Sequence, residues 1–340
     1  MRYKLSAPAT LHTTIQLPAS KSISNRALIL HALAQGHIAP SNLSDCDDTR
    51  VMIKALDGNP GHIDILAAGT AMRFLTAYLS VTPGTRIITG TERMQQRPIR
   101  ILVDALRELG AQIEYAGKEG FPPLRITGTE LTGEEISLAG NVSSQYISAL
   151  LMIGPILKNG LRLNLTGEII SRPYINLTLQ LMKEFGADAA WSSESSITVR
   201  PEKYRDIPFT VESDWSGASY WYQMVALIQD NEKKESTKTE IKLPGLLPRS
   251  YQGDSRGAEI FAKLGVHTTY TDQGVVLTKM GTPVTCLKED LVDIPDLAQT
   301  FVVTCCLMNI PFRFTGLQSL KIKETDRIQA LITELNKLGY

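Results

Sequence analysis

The sequence has no net charge: Lys and Arg together number 35, and Asp and Glu also number 35. No global field therefore draws in nucleic acid or an anionic membrane, and any anion site has to be built locally. Cysteine is scarce, and Cys46, Cys286, Cys305 and Cys306 lack the spacing of metal ligands. The adjacent pair reads as small apolar residues in a buried strand or helix, in a reduced, cytoplasmic setting. No apolar stretch approaches the length that spans a bilayer, and MRYKLSAPATLHTTIQLPAS shows neither an apolar signal core nor an Arg/Ser-rich, acid-poor leader. Neither membrane insertion nor export is expected. With these classes set aside, 340 residues at 43% hydrophobic and 21% charged content describe a globular chain long enough for two domains.

The chain repeats itself. An apolar helical pattern closed by glycine and followed by a strand occurs as LVDALRELG–AQIEY, LQLMKEFG–ADAAW and AEIFAKLG–VHTTY, and a fourth copy begins at ITELNKLGY. The closing glycines, Gly110, Gly186, Gly265 and Gly339, fall 76, 79 and 74 residues apart. After its strand each of the first three copies enters a turn and a second strand, in KEGFPPLRITG, SSESSITVRP and TDQGVVLTKMG. The unit is helix, strand, turn, strand, and the fold class is α/β, with sheets around packed helices favoured over one doubly wound sheet. The fourth copy stops one residue after its glycine, so the expectation is a chain that ends mid-domain, with little activity of its own. DNEKKESTKTE reads as a solvated loop between a helix around Trp221 to Ile228 and the strand EIKLPG.

Candidate chemistry gathers at helix starts. In LPASKSISNRALILHALAQG a strand ends at Leu17-Pro18, and a helix from about Asn25 towards Gly36 is capped by Ser22 or Ser24. Its amides and hydroxyls, with Lys21 and Arg26, suit an anion. In LAAGTAMRFLTAYLS, Gly69 and Thr70 precede a helix carrying Arg73, and the missing Cβ lets a ligand approach the backbone. Arg97 stands before Pro98 at a helix start, a place unfavourable to a cation unless an anion shares it. Ser143, Ser144 and Gln145, and then Ser171, Arg172 and Tyr174, open two further helices. Each serine alone reads as a cap. Five donor-bearing helix starts in a neutral protein point to bound phosphate or carboxylate. Asp293 and Asp296 flank Pro295 before an apolar helix, where capping is the plain alternative. KETDR sets Lys323, Glu324, Asp326 and Arg327 at one helix start, with Thr325 or Asp326 as cap, and allows a carboxyl and two cations to face one substrate.

Taken in order, SKSISNRAL, AGTAMR, RPI, SSQ, SRPY, DIPD and KETDR resemble the enolpyruvylshikimate-phosphate synthase family over residues 17 to 330. The resemblance implies a two-lobed enolpyruvyl transferase fold of repeated βαβαββ units around buried helices. Residues 20–212 would form a complete lobe of three units, and residues 1–19 with 213–340 a second lobe, incomplete at its C-terminus. It implies transfer of the enolpyruvyl group of phosphoenolpyruvate to the 5-hydroxyl of shikimate 3-phosphate, with lobe closure on two anionic substrates and no metal or organic cofactor. Carried over position by position, Lys21, Ser22, Arg26, Ser143, Ser144, Gln145, Ser171, Asp296, Ser319 and Lys323 would hold shikimate 3-phosphate. Lys21, Gly69, Arg97, Gln145 and Arg327 would hold phosphoenolpyruvate. Asp296 would accept the proton of the 5-hydroxyl, with Lys21 also in the catalytic set. Glu324 would protonate the methylene carbon, and Lys323 would orient the hydroxyl.

The sequence departs from the family pattern at Ala67, where Asn is common, at Phe74, where Pro is usual, and at Ser319, where Asn is frequent. A UDP-N-acetylglucosamine enolpyruvyl transferase is the nearest alternative. That family typically carries Lys-Asn near the N-terminus and a reactive Cys on its mobile loop, whereas Ser22 follows Lys21 here and no cysteine lies near Arg97. A non-catalytic binder of a phosphorylated ligand is the other. A monomer acting on small molecules, without nucleic acid or membrane, completes the expectation.

Overall fold

The computed structural model describes residues 4, 11–58, 60–170, 172–228, 239–322 and 325–340. The chain forms two compact units, Ala19–Val211 and the pair of segments Met1–Pro18 and Glu212–Tyr340. In chain order the elements are β1 (His12–Thr14), α1 (Lys21–Leu33), α2 (Asp47–Leu56), β2 (His62–Asp64), α3 (Gly69–Val81), β3 (Gly84–Thr89), α4 (Glu92–Gln95), α5 (Arg100–Glu108), β4 (Gln112–Tyr115), β5 (Leu124–Gly128), β6 (Glu135–Ala139), α6 (Ser144–Ile153), β7 (Leu161–Thr166), α7 (Arg172–Glu184), β8 (Ala189–Trp191) and β9 (Ser196–Val199). The return segment continues with α8 (Trp215–Leu227), β10 (Glu240–Pro244), α9 (Gly257–Lys263), β11 (Val266–Thr271), β12 (Gly274–Lys279), β13 (Leu287–Asp290), α10 (Ala298–Leu307), β14 (Phe312–Thr315) and α11 (Arg327–Asn336).

One topology recurs. The sheets run β2-β3-β5-β4, β6-β7-β9-β8 and β1-β10-β12-β11, each with a parallel first pair followed by antiparallel pairs. Read along the chain each is a βαβαββ unit, and parallel β13 and β14 with the helix between them repeat its opening. The joint that repeats is the glycine after the second helix. Gly110, Gly186, Gly265 and Gly339 have φ of 105°, 89°, 85° and 86°, left-handed values that a side chain resists. Each donates its N–H to the carbonyl three residues back, and Ala111, Ala187 and Tyr340 reach back five residues at 2.9–3.1 Å, the two-bond closure that satisfies the last helical carbonyls.

In the unit Ala19–Val211, α1, α3 and α6 are buried along most of their length, with Ile23, Phe74, Leu75 and Ile147 fully enclosed. The hydrophobic faces of the surrounding strands close over them, as the alternating burial of β7 shows. In the other unit Trp215, Tyr222, Phe261, Phe301 and Phe314 form a chain of rings with centroids 4.9–6.5 Å apart. Each ring contributes its buried area and roughly 0.5–1.5 kcal/mol of edge and face contact beyond it. Cys305 is buried in α10, its thiol pushed up to about 12 by burial and by the neighbouring Cys306 and Cys286, whereas Cys306 is half-buried and Cys286 exposed. Among the described residues no helix is long and apolar enough to cross a membrane. Most of DNEKKESTKTE lies outside the described residues, and its last residue, Glu240, opens β10.

Candidate active site

Helix α1 begins earlier than its sequence pattern suggested. Ser20, not Ser22 or Ser24, is the cap: its backbone is extended (φ −61°, ψ 117°) and its hydroxyl accepts the Ile23 N–H at 3.4 Å. Lys21 and Ser22 thus lie in the first turn, and the preceding strand ends at Thr14 rather than at Leu17-Pro18. Lys21 is half-exposed, its ammonium 3.9 Å from Asp48 Oδ1 on the first turn of α2. Ser24 is buried, and its hydroxyl accepts the Ser44 N–H at 2.9 Å.

Arg26 is buried, and its donors are distributed among protein acceptors. Nε donates to Thr178 Oγ1 at 2.7 Å, Nη1 to the Ser22 carbonyl at 2.9 Å, and Nη2 to Ser148 Oγ at 3.1 Å and the Tyr174 carbonyl at 3.5 Å. Its guanidinium carbon lies 5.2 Å from the centroid of Phe74, one of the positions that depart from the family pattern. Burial lowers its pKa to about 10, which leaves it charged at neutral pH. The side chain that looked like a ligand donor also ties α1 to α6 and α7.

Gly69 and Thr70 do not precede α3; they are its first residues, and no side chain caps that turn. Across from Gly69 stands Arg97, and the two are in close apposition. A Cβ on residue 69 would sit 2.6 Å from Arg97 Nη1, 3.0 Å from Nη2 and 3.1 Å from Cζ. Arg97 follows α4, with its N–H on the Met94 carbonyl at 3.0 Å, and α5 opens only at Arg100. Ser143 caps α6, and Gln145 in its first turn donates Nε2 to Thr70 Oγ1 at 3.2 Å. Gly69, Thr70, Arg97 and Gln145 therefore meet where the first turns of α3 and α6 come together, a place rich in donors for an anion.

In the second unit Asp296 lies in a single turn of 3-10 helix, Pro295–Leu297, that leads into α10. No side chain caps α10, so Asp296 is not its cap. It faces Arg327 instead, with Nη1 to Oδ1 2.9 Å apart and both side chains about a quarter exposed. Arg327 opens α11, whose cap is Asp326, accepting from Gln329 N at 3.0 Å. Ser319 is half-buried in the preceding turn Gln318–Ile322. Ser171, Lys323 and Glu324 lie outside the described residues. Sequence reading missed Asp48, Ser148, Thr178 and Tyr146 as partners of these groups. The paired Asp47-Asp48 at a helix start was the one local signal; the others pair over long stretches of chain.

Comparison with solved structures identifies the fold. An EPSP synthase from Acinetobacter baumannii matches 96% of both chains with a TM-score of 0.58 at 16% identity. The enolpyruvyl transferase NikO from Streptomyces tendae matches 90% of this chain and 75% of its own with a TM-score of 0.63 at 14% identity. At those identities the likeness establishes the fold, that of the enolpyruvyl transferases. The family model described as EPSP synthase (3-phosphoshikimate 1-carboxyvinyltransferase) matches residues 5–58 and 59–340. A 3-phosphoshikimate 1-carboxyvinyltransferase of Bacteroides fragilis is 72% identical over 340 residues, covering all of this chain and 81% of the relative. One of Tolumonas auensis is 36% identical over 359 aligned residues, covering 97% of this chain and 82% of its own. The chain belongs to the EPSP synthase family.

Proposed function

We propose that this protein transfers the enolpyruvyl group of phosphoenolpyruvate to the 5-hydroxyl of shikimate 3-phosphate and releases phosphate. The observation that carries the reading is 72% identity, over the whole chain, to an enzyme bearing the name of that reaction. Ser22 after Lys21 separates it from the UDP-N-acetylglucosamine enzymes, as the sequence motifs indicated.

The chemistry asks for three things: an acid near carbon, a base near oxygen, and cations on the leaving phosphate. Protonation of the methylene of phosphoenolpyruvate makes C2 electrophilic, and the 5-hydroxyl adds to it while losing its proton. The tetrahedral adduct then expels phosphate and returns a methyl proton to give the enol ether. We assign the donor phosphate and carboxylate to Lys21, Gly69, Arg97, Gln145 and Arg327. The close approach of Arg97 to the uncapped first turn of α3 supports this, since both favour negative charge. Shikimate 3-phosphate falls to Lys21, Ser22, Ser143, Ser144, Gln145, Ser171, Ser319 and Lys323, with Arg26 fixing the first turn of α1 through the Ser22 carbonyl.

Asp296 is assigned as the base and Glu324 as the acid. The 2.9 Å contact with Arg327 supports this by orienting the Asp296 carboxylate. We further infer that the protein works as a monomer and in the cytoplasm, and the free cysteines support the second of these. Phosphate release tests the function. It should require both substrates together, and UDP-N-acetylglucosamine should not replace shikimate 3-phosphate. Release with the nucleotide sugar, or with neither acceptor, would overturn the reading.

A further inference from the structure

Arg97 belongs to neither α4 nor α5, yet its guanidinium is held closely against Gly69. Something must fix the stretch that carries it, because Pro98 is exposed and the stretch has no helix or strand of its own. Two backbone bonds secure its flanks, Arg97 N–H to the Met94 carbonyl and Ile99 N–H to the Gly120 carbonyl, both at 3.0 Å. The carbonyl between them, that of Pro98, accepts the Tyr146 hydroxyl at 2.7 Å. Tyr146 is buried, in the first turn of α6. A short bond from a stiff aromatic side chain, with only two torsions to freeze, is an effective strut.

A second contact closes the circuit from the other side. Arg73, also buried, donates Nη1 to the Gly69 carbonyl at 3.0 Å and lies 3.8 Å from Met94 Sδ. Its guanidinium carbon stands 5.8 Å from the centroid of the Tyr146 ring. One pair of side chains therefore touches both the backbone of Gly69 and the segment that aims Arg97 at it.

We propose that the Tyr146 hydroxyl is a positioning group for phosphoenolpyruvate: by holding the Pro98 carbonyl, with Arg73 packed on its ring, it keeps the Arg97 guanidinium at the first turn of α3. The inference rests on the assignment of Gly69 and Arg97 to phosphoenolpyruvate, and the experiment separates the two. Tyr146→Phe removes one oxygen and keeps the ring. It is compared with wild type, Arg97→Ala and the double variant, by KM for each substrate, kcat and thermal melting.

Tyr146→Phe should raise the KM for phosphoenolpyruvate about 3- to 10-fold, the effect of one lost hydrogen bond. The KM for shikimate 3-phosphate should hold and melting should fall by no more than the few degrees that one hydrogen bond supplies, whereas a merely structural role would move both substrates alike. In the Arg97→Ala background the same change should add nothing. If Arg97→Ala leaves the phosphoenolpyruvate KM unchanged, the assignment of Arg97 fails and this inference falls with it. If Arg97→Ala acts but Tyr146→Phe does not, the assignment stands and the positioning role is overturned. That role is also overturned if Tyr146→Phe moves both substrates alike, or has the same effect with and without Arg97.

Discussion

Replacing Gly69 with Ala tests the donor site by a displacement whose size can be worked out. Gly69 does not require left-handed backbone, so Ala is tolerated by the chain itself, and in a helix's first turn it should be neutral or slightly stabilising. The new methyl, however, would stand 2.6 Å from Arg97 Nη1. Non-bonded heavy atoms settle at about 3.5 Å or more, so the guanidinium must retreat by about 1 Å. The retreat costs the fold little, because the atom displaced is the far end of a flexible side chain. It costs the site more, since misplacing a positioned group by about 1 Å can lower catalysis by as much as a hundredfold. The expected result is a KM for phosphoenolpyruvate raised about 10- to 100-fold, with shikimate 3-phosphate affinity retained and melting unchanged or slightly higher. Steady-state kinetics with each substrate varied, beside thermal unfolding, would read all three. An unchanged phosphoenolpyruvate KM, or equal loss for both substrates, would refute the account of Gly69 and Arg97.

Glu324→Gln should keep shikimate 3-phosphate binding by calorimetry but lower kcat by about two to four orders of magnitude, the usual scale for a general acid; near-normal turnover would remove Glu324 from the mechanism. Arg26→Lys should cost about 2–4 kcal/mol in urea unfolding, because an ammonium cannot replace the planar fork that reaches Thr178, Ser148 and the Ser22 carbonyl, and a loss below about 0.5 kcal/mol would show those bonds to be idle. Glu212 is 7% exposed, accepts from Ser250 Oγ at 2.6 Å and Gln252 Nε2 at 3.0 Å, and burial holds its carboxyl above the ordinary 4.5. The stability this group contributes is present in full below about pH 4.5 and is lost as the pH rises through its raised value, so Glu212→Gln should gain on wild type in urea midpoint between pH 4.5 and 7.5. A wild-type midpoint that rises relative to that of Glu212→Gln over this range would contradict the sign.

The repeat was legible because its signal is local and chemical. A helix that ends on a left-handed residue selects glycine, and Gly110, Gly186 and Gly265 mark the joints before β4, β8 and β11 in the sequence as in the structure. The hairpins after them carry their own turn residues. The start of α1 was misread for a similar reason: Ser20, Ser22 and Ser24 all have capping chemistry, and only the backbone angles at Ser20 choose among them. The partners of Arg26, Thr178 and Ser148, lie 152 and 122 residues away, and nothing near Arg26 announces them. Asp296 was half-legible. An aspartate beside proline at a helix start has the pattern of a cap, while its actual partner, Arg327, comes from the turn of another helix.

The pairing of β1 with β10 bears on the order in which the chain can assemble. His12 is laid opposite Glu240, so the first strand leaves synthesis long before its neighbour exists. Closing a flexible loop of that length would cost about 5 kcal/mol in chain entropy. If Ala19–Val211 has already folded, its ends are fixed by its own packing, and just outside it the Asp214 N–H meets the Pro18 carbonyl at 2.9 Å. The flexible remainder is then only the short arms on either side, and the closure cost falls by roughly 2 kcal/mol. Folded first, the inserted unit would act as a template that delivers the N-terminal strand to its sheet, and a variant that slows the folding of Ala19–Val211 would also delay a sheet to which it contributes no strand.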